Sequence, residues 1–247
     1  MTTIDPDLDV ALDGVEGWFS PDQVALVAAR AAEVSAPGRI VEIGSFRGRS
    51  MIAIARSAAD GVAIHAIDPH AGNDRGPQEI DGFADEADED SAIFLRNLER
   101  AGVRERVTYV RAFSHDAHDE VDGPIDLLHI DGAHRFRPAR EDIGAWGARV
   151  APGGVMLVHD AFSSIGVTLA ILSELLLSGR WRYVGRSRSL AEYRAEPVHG
   201  AARWVNAGRQ VGQLPWFARN VAIKVLVTAR LGPVARLLGH DGETWPY

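Results

Sequence analysis

Residues 39–50 read Arg39-Ile40-Val41-Glu42-Ile43-Gly44-Ser45-Phe46-Arg47-Gly48-Arg49-Ser50, and the fold turns on how they are taken. Ile40, Val41 and Ile43 make a short apolar run, the pattern of a strand buried in a parallel sheet. Gly44 and Gly48 allow a tight turn and a close approach of backbone to a ligand. Residues 51–56 then begin a helix. Strand, glycine turn and helix N-terminus in succession form a nucleotide-type cradle. The spacing is E-x-G-x-x-x-G-x-S, without the G-x-G-x-x-G of a dinucleotide site, which disfavours a nicotinamide dehydrogenase.

Upstream, Ser20-Pro21-Asp22-Gln23 has the form of a capping box with proline at the first helical position. The helix it opens carries Val24, Val27, Ala28 and Ala31 on one face and ends before Pro37-Gly38. It is expected to pack beside the first strand and cover the cleft. Downstream, residues 62–67, 107–110, 125–130 and 155–158 read as further strands. They run into Asp68, Arg111 to Ser114, Asp131 and His159-Asp160, all polar groups able to serve a crevice at the strand ends. Helices are expected over 91–101, about 138–150 and 165–177, and residues 181–184 and 190–193 flank a hairpin turn. This alternation predicts an α/β fold, a doubly wound and mostly parallel Rossmann-like sheet closed by an antiparallel hairpin. A helical extension follows it. The expected division is an N-terminal helical cap over 1–37, a central domain over 38–196 and the extension over 197–247.

The bulk numbers exclude several classes. With 46% hydrophobic and 24% charged residues the chain is an ordinary globular one. A formal charge of −8 speaks against nucleic-acid binding. The absence of cysteine excludes disulfides and thiolate metal sites and fits a cytoplasmic setting. Residues 1–5 lack the features of a signal peptide, and the apolar run 165–177 is too short to span a bilayer. Residues 73–90 are rich in Asp and Glu; a solvated loop is the plain reading and a lid over the site the sharper one. From His199 to His240 there are arginines and Lys224, the only lysine, but no acidic residue, interspersed with Trp204, Trp216, Phe217 and several aliphatics. Two readings stand: a basic amphipathic segment at a membrane surface, or helices docked on the body or on a second copy in a homo-oligomer.

Glu42, Gly44, Gly48 and Ser50 together resemble the first motif of class I S-adenosylmethionine-dependent methyltransferases, with the trailing serine of the catechol-type O-methyltransferases. Asp68, the segment His129-Ile130-Asp131-Gly132-Ala133-His134 and the stretch from Pro152 to Asp160 extend the resemblance over about residues 38–194. It implies that Glu42, Gly44, Ser45, Gly48 and Ser50 surround the methionine half of S-adenosylmethionine, and Asp68 its ribose. Phe113, Ser114 and His115 match the adenine-contacting turn. Asp131 is implied as a cofactor contact, a catalytic residue and a metal ligand, His134 as the general base. Asp160 matches a second metal aspartate, for Mg²⁺ or another divalent metal, although Ala161 stands where a further oxygen ligand is usual. The implied reaction is transfer of methyl to a small-molecule hydroxyl, with a sugar of a natural product or cell-envelope glycolipid preferred. A catalytically silent cofactor-binding module and an iron-dependent hydroxylase on the same sheet are the rivals.

Overall fold

A computed structural model describes residues 6–71 and 84–240. The first part of the acidic stretch expected as loop or lid, residues 73–83, lies outside the described residues. The chain opens with helices α1 (Pro6–Leu12) and α2 (Pro21–Ala32), then strand β1 (Arg39–Ile43) and helix α3 (Arg49–Ser57). Next come β2 (Ala63–Ile67), α4 (Ala84–Arg100), β3 (Val107–Val110), β4 (Ile125–Ile130) and α5 (Phe136–Glu141). β5 (Val150–Val158), α6 (Ile165–Glu174), β6 (Trp181–Ser187) and β7 (Leu190–Ala195) complete the body. Helices α7 (Ala201–Val211), α8 (Leu214–Thr228) and α9 (Gly232–Leu237) form the tail.

The seven strands lie in the order β3-β2-β1-β4-β5-β7-β6. β1 to β5 pair in parallel, and β7 pairs antiparallel with both β5 and β6. The hairpin expected at the edge is there, with one refinement. Its second strand lies inside, leaving β6 outermost and running with the parallel set, so that β7 alone is reversed. Alternate residues of each strand feed opposite faces, as the two-residue repeat requires. Ile40, Leu127 and Leu157 join the layer of α1 to α4 on one face; Val41, Leu128 and Met156 join α5 and α6 on the other.

The Ser20 capping box forms as read: Gln23 N donates to Ser20 Oγ at 3.4 Å and Ser20 N donates to Gln23 Oε1 at 2.8 Å. Val24, Val27 and Ala31 are the buried face of α2. The helix expected over 138–150 is instead broken: α5 stops at Glu141, and a π-helical turn, Asp142–Trp146, and a 3-10 turn follow. A sequence pattern of apolar positions does not distinguish i+4 from i+5 bonding, and π turns gather at functional sites. α1 was not anticipated, its seven residues being too short for a periodic signal.

The tail docks on the body through buried polar side chains. Asn206 accepts from Tyr183 N and donates to Trp181 O, and Tyr193 Oη donates to Gln210. That is the docked-helix reading, although Trp204 and Leu237 stay 70% and 85% exposed, so an apolar surface remains on the outside. Among the described residues no helix is long and apolar enough to cross a membrane.

Candidate methyl-transfer site

One backbone bond past each of β1, β2, β4 and β5 ties the carboxyl ends of the parallel strands into a row. Gly44 N donates to Ile67 O, Asp68 N to Val110 O, Asp131 N to Ile43 O and His159 N to Ile130 O, all between 2.8 and 3.1 Å. The residues predicted to carry chemistry are therefore brought to one edge of the sheet. Gly44 sits at φ 84°, and a Cβ there would come within 2.2 Å of Asp131 O. Only glycine lets the loop after β1 pass this close to the end of β4.

Beyond β1 and β2, Asp68 is occupied with the loop itself. Its Oδ2 accepts from Ser45 N and Phe46 N at 2.8 Å each, and its Oδ1 from His70 N at 2.7 Å. Two donors fill Oδ2, so Oδ1, with one, is the oxygen with room for a further donor. Glu42 is fully buried, accepting from Ser45 Oγ at 2.6 Å and lying 2.9 Å from His129 Nδ1. It braces the loop from behind rather than lining the crevice. His129, which the sequence reading quoted without a role, completes that buried pair. Ser50 is buried in the first turn of α3, whose N-cap is Gly48.

In the turn after β3, Phe113 is half exposed and its ring stacks on that of His115, centroids 5.6 Å apart. Ser114 is held from both sides: its Oγ donates to Asp142 Oδ1 at 2.5 Å, and Trp146 Nε1 donates to its carbonyl at 3.2 Å. Asp142 and Trp146 went unread in the sequence because both sit on the π-helical turn. Burial pushes the Asp142 carboxyl up to about 6, against the hydrogen bond from Ser114.

Beyond β4 and β5, His134 Nε2 lies 2.5 Å from Asp160 Oδ2, and His159 Nδ1 lies 2.9 Å from Asp131 Oδ1. His134 belongs to a loop packed on the start of α6: a Cβ at Gly166 would meet His134 O at 2.2 Å. His159 is buried, its ring stacked on Phe19 at 4.9 Å and its Nε2 3.3 Å from Gln23 Nε2. It supports Asp131 from the interior. Burial pushes the Asp160 carboxyl up, but His159, His134 and Lys224 outweigh it and hold the group well below the usual carboxylate range. Asp131 is also held low, burial being outweighed chiefly by His159. Both are anions at neutral pH.

The donor atoms of Asp131, His134 and Asp160 all lie within 4.8 Å of one another. Asp160 Oδ1 is buried and makes no hydrogen bond among the described residues. Two carboxylates, one of them with an orphaned oxygen, and an imidazole form a donor set that suits a divalent cation, with water or acceptor oxygens filling the remaining positions. Ala161 is buried and adds no ligand atom.

Residues 41–161 match a family described as a methyltransferase domain. A curated relative, the uncharacterized protein y4gI of Sinorhizobium fredii, is 26% identical over 134 residues; these are 50% of this chain and 13% of that protein, so the chain spans about an eighth of its length. Solved structures share the fold. The cofactor-bound Rv0187 from MTB superposes with a TM-score of 0.53 at 20% identity, covering 78% of this chain and 90% of that one. The O-methyltransferase TomG of Streptomyces achromogenes, in complex with S-adenosylmethionine, gives 0.51 at 19% identity, covering 78% and 89%. An O-methyltransferase of Bacillus cereus in complex with S-adenosylhomocysteine gives 0.51 at 18%, covering 78% and 90%.

Proposed function

We propose that this chain, whose residues 41–161 form a class I S-adenosylmethionine-dependent methyltransferase domain, transfers methyl to a hydroxyl of a small molecule. The observation that carries the reading is the His134–Asp160 pair on the same sheet edge as the glycine loop. Bound at that loop, S-adenosylmethionine supplies an electrophilic methyl group on a sulfonium. The turn between β1 and α3, with Ser50, would hold its carboxylate end, and Asp68 Oδ1 would accept one ribose hydroxyl. Phe113 offers a face to the adenine.

An aliphatic hydroxyl is a poor nucleophile until its proton is taken. Asp160 accepts from the Nε2–H of His134, which assigns the basic lone pair of the neutral ring to Nδ1. The acceptor's proton goes to that nitrogen, and the Asp160 carboxylate stabilises the imidazolium that results. Asp131 and His159 hold the floor between loop and base. A divalent cation, if bound, would be held by Asp131, His134 and Asp160 and would supply Lewis-acid polarisation of the acceptor oxygen in place of proton removal by His134.

The preferred acceptor is a sugar hydroxyl of a natural product or a cell-envelope glycolipid. The exposed Trp204, Val205 and Leu237 among the arginines of the tail support a lipid-linked acceptor, because such a surface suits anionic headgroups.

The experiment is methyl-labelled S-adenosylmethionine incubated with a panel of glycosides, glycolipids and catechols, with and without Mg²⁺. Label in an acceptor, lost in His134→Ala, supports the reading. Cofactor binding without transfer across the panel would make the chain a silent binding module. Oxygen consumption with iron would make it a hydroxylase.

A further inference from the structure

The sharpest bend at the site follows β5. Asp160 and Phe162 are both non-glycine residues with left-handed backbone, at φ 54° and 56°. Such conformations persist only when the surroundings over-determine them, and they gather where a side chain must be aimed. Part of the restraint is local: Ser163 N and Ser164 N donate to Asp160 O at 3.1 and 2.9 Å, and Ala161 N donates to Ser189 O at 2.9 Å.

The rest arrives from the tail. Asn220 and Lys224 stand one turn apart on α8 and so share a face. Asn220 Nδ2 donates to Phe162 O at 3.4 Å; Lys224 Nζ donates to Ser163 O at 3.1 Å and to Ser163 Oγ at 3.4 Å. Ile223, between them in sequence, is fully buried. Two side chains from one helix thus reach consecutive carbonyls of the turn that begins at Asp160. α8 lies well beyond the methyltransferase-domain match, which ends at 161.

We propose that Lys224, assisted by Asn220, is a positioning residue of the transfer site: α8 clamps the 160–164 turn and so sets the Asp160 carboxylate against His134. The proposal rests on the reading of His134 and Asp160 as the transfer pair. The tail is then a working part of the site and not an appendage. Lysine suits the task because its flexible stem carries three donors to a carbonyl and a hydroxyl at once.

The test uses the full chain, free and saturated with S-adenosylhomocysteine. In Lys224→Met, amide exchange at Ala161, Ser163 and Ser164 should rise about tenfold or more, while central-strand amides keep their protection. The ring nitrogen resonances of His134 should shift, and S-adenosylhomocysteine affinity should stay within about twofold, since the cofactor half is untouched. Lys224→Arg should move exchange and resonances back toward wild type. Should Lys224→Met not fold, Asn220→Ala is read in the same way. Wild-type exchange in the turn overturns the clamp. Faster exchange with unmoved His134 resonances overturns the positioning role and leaves α8 as packing alone. Failure of the wild-type chain to bind S-adenosylhomocysteine overturns the functional reading instead, and exchange in the free protein still decides the clamp.

Discussion

The two halves of the crevice are built on different principles. On the side proposed to take the cofactor, the loop after β1 is shaped by backbone geometry: a left-handed Gly44, amides donating to Asp68 and a buried Glu42 bracing Ser45. On the acceptor side nearly everything is a side chain, and the supports come from remote elements: Phe19 and Gln23 near the N-terminus, Lys224 in the tail. A backbone cradle binds what the ligands of a fold have in common. A side-chain cluster with distant supports can change its partner without disturbing the sheet. Specificity is therefore expected to reside in the second half and foldability in the first.

Substitutions can break that contrast. The largest effect is expected from Gly44→Ala, whose methyl would have to displace the Asp131 carbonyl while keeping a positive φ. A loss of about 3 kcal/mol or more, seen as a Tm lower by about 5–10 °C, is expected from strain and overpacking. A Tm within 1 or 2 °C of wild type, roughly the effect of an ordinary surface change, would mean the loop is not rigid. Next is His134→Ala, expected to lower turnover by about 10²–10⁴-fold, the usual worth of a general base, with cofactor affinity nearly unchanged. Equal loss of both, by kinetics and calorimetry, would move His134 to the structural side.

Asp142→Asn sharpens the boundary between the halves. The Asp142 carboxyl titrates at about 6 in the folded protein, above its unfolded value. The folded state thus holds the extra proton, and this contribution to stability is complete below about pH 4 and lost as pH rises through 6. Urea titrations at pH 4.5 and 7 should show that fall, up to about 2–3 kcal/mol, in wild type relative to Asp142→Asn. Parallel curves for the two proteins would reject a proton held at Asp142. The smallest effect is expected from Asp68→Asn. Its remaining oxygen still accepts hydrogen bonds, so cofactor affinity should weaken only about tenfold, the worth of one charge-assisted bond. Unchanged affinity would remove Asp68 from the ribose site.

The same division decides how much could be read in advance. The glycine turn and its flanking elements were legible because their signals are local: β4 spans the very residues read as a strand, and the Ser20 box forms as its spacing implies. The row of chemically able strand ends followed from topology. The supports did not. Lys224 meets Ser163 across 61 positions and Gln23 meets Ser189 across 166, distances over which no periodicity speaks. Asp142 was hidden by a π turn that imitates an ordinary helix. The insertion of β7 between β5 and β6 is set by pairing partners, which a hairpin signature does not specify.

The contacts of Gln23 form at different times. The amide that helps start α2 also donates to Ser189 Oγ at 3.1 Å and abuts His159. A nascent chain can wind that helix soon after it leaves the ribosome, but the partners of the Gln23 Nε2 group, His159 and Ser189, are made only 136 and 166 residues later. The start of α2 is thus completed by strands that follow it far along the chain, and the support under Asp131 is in place only once β5 and the β6–β7 turn have been made.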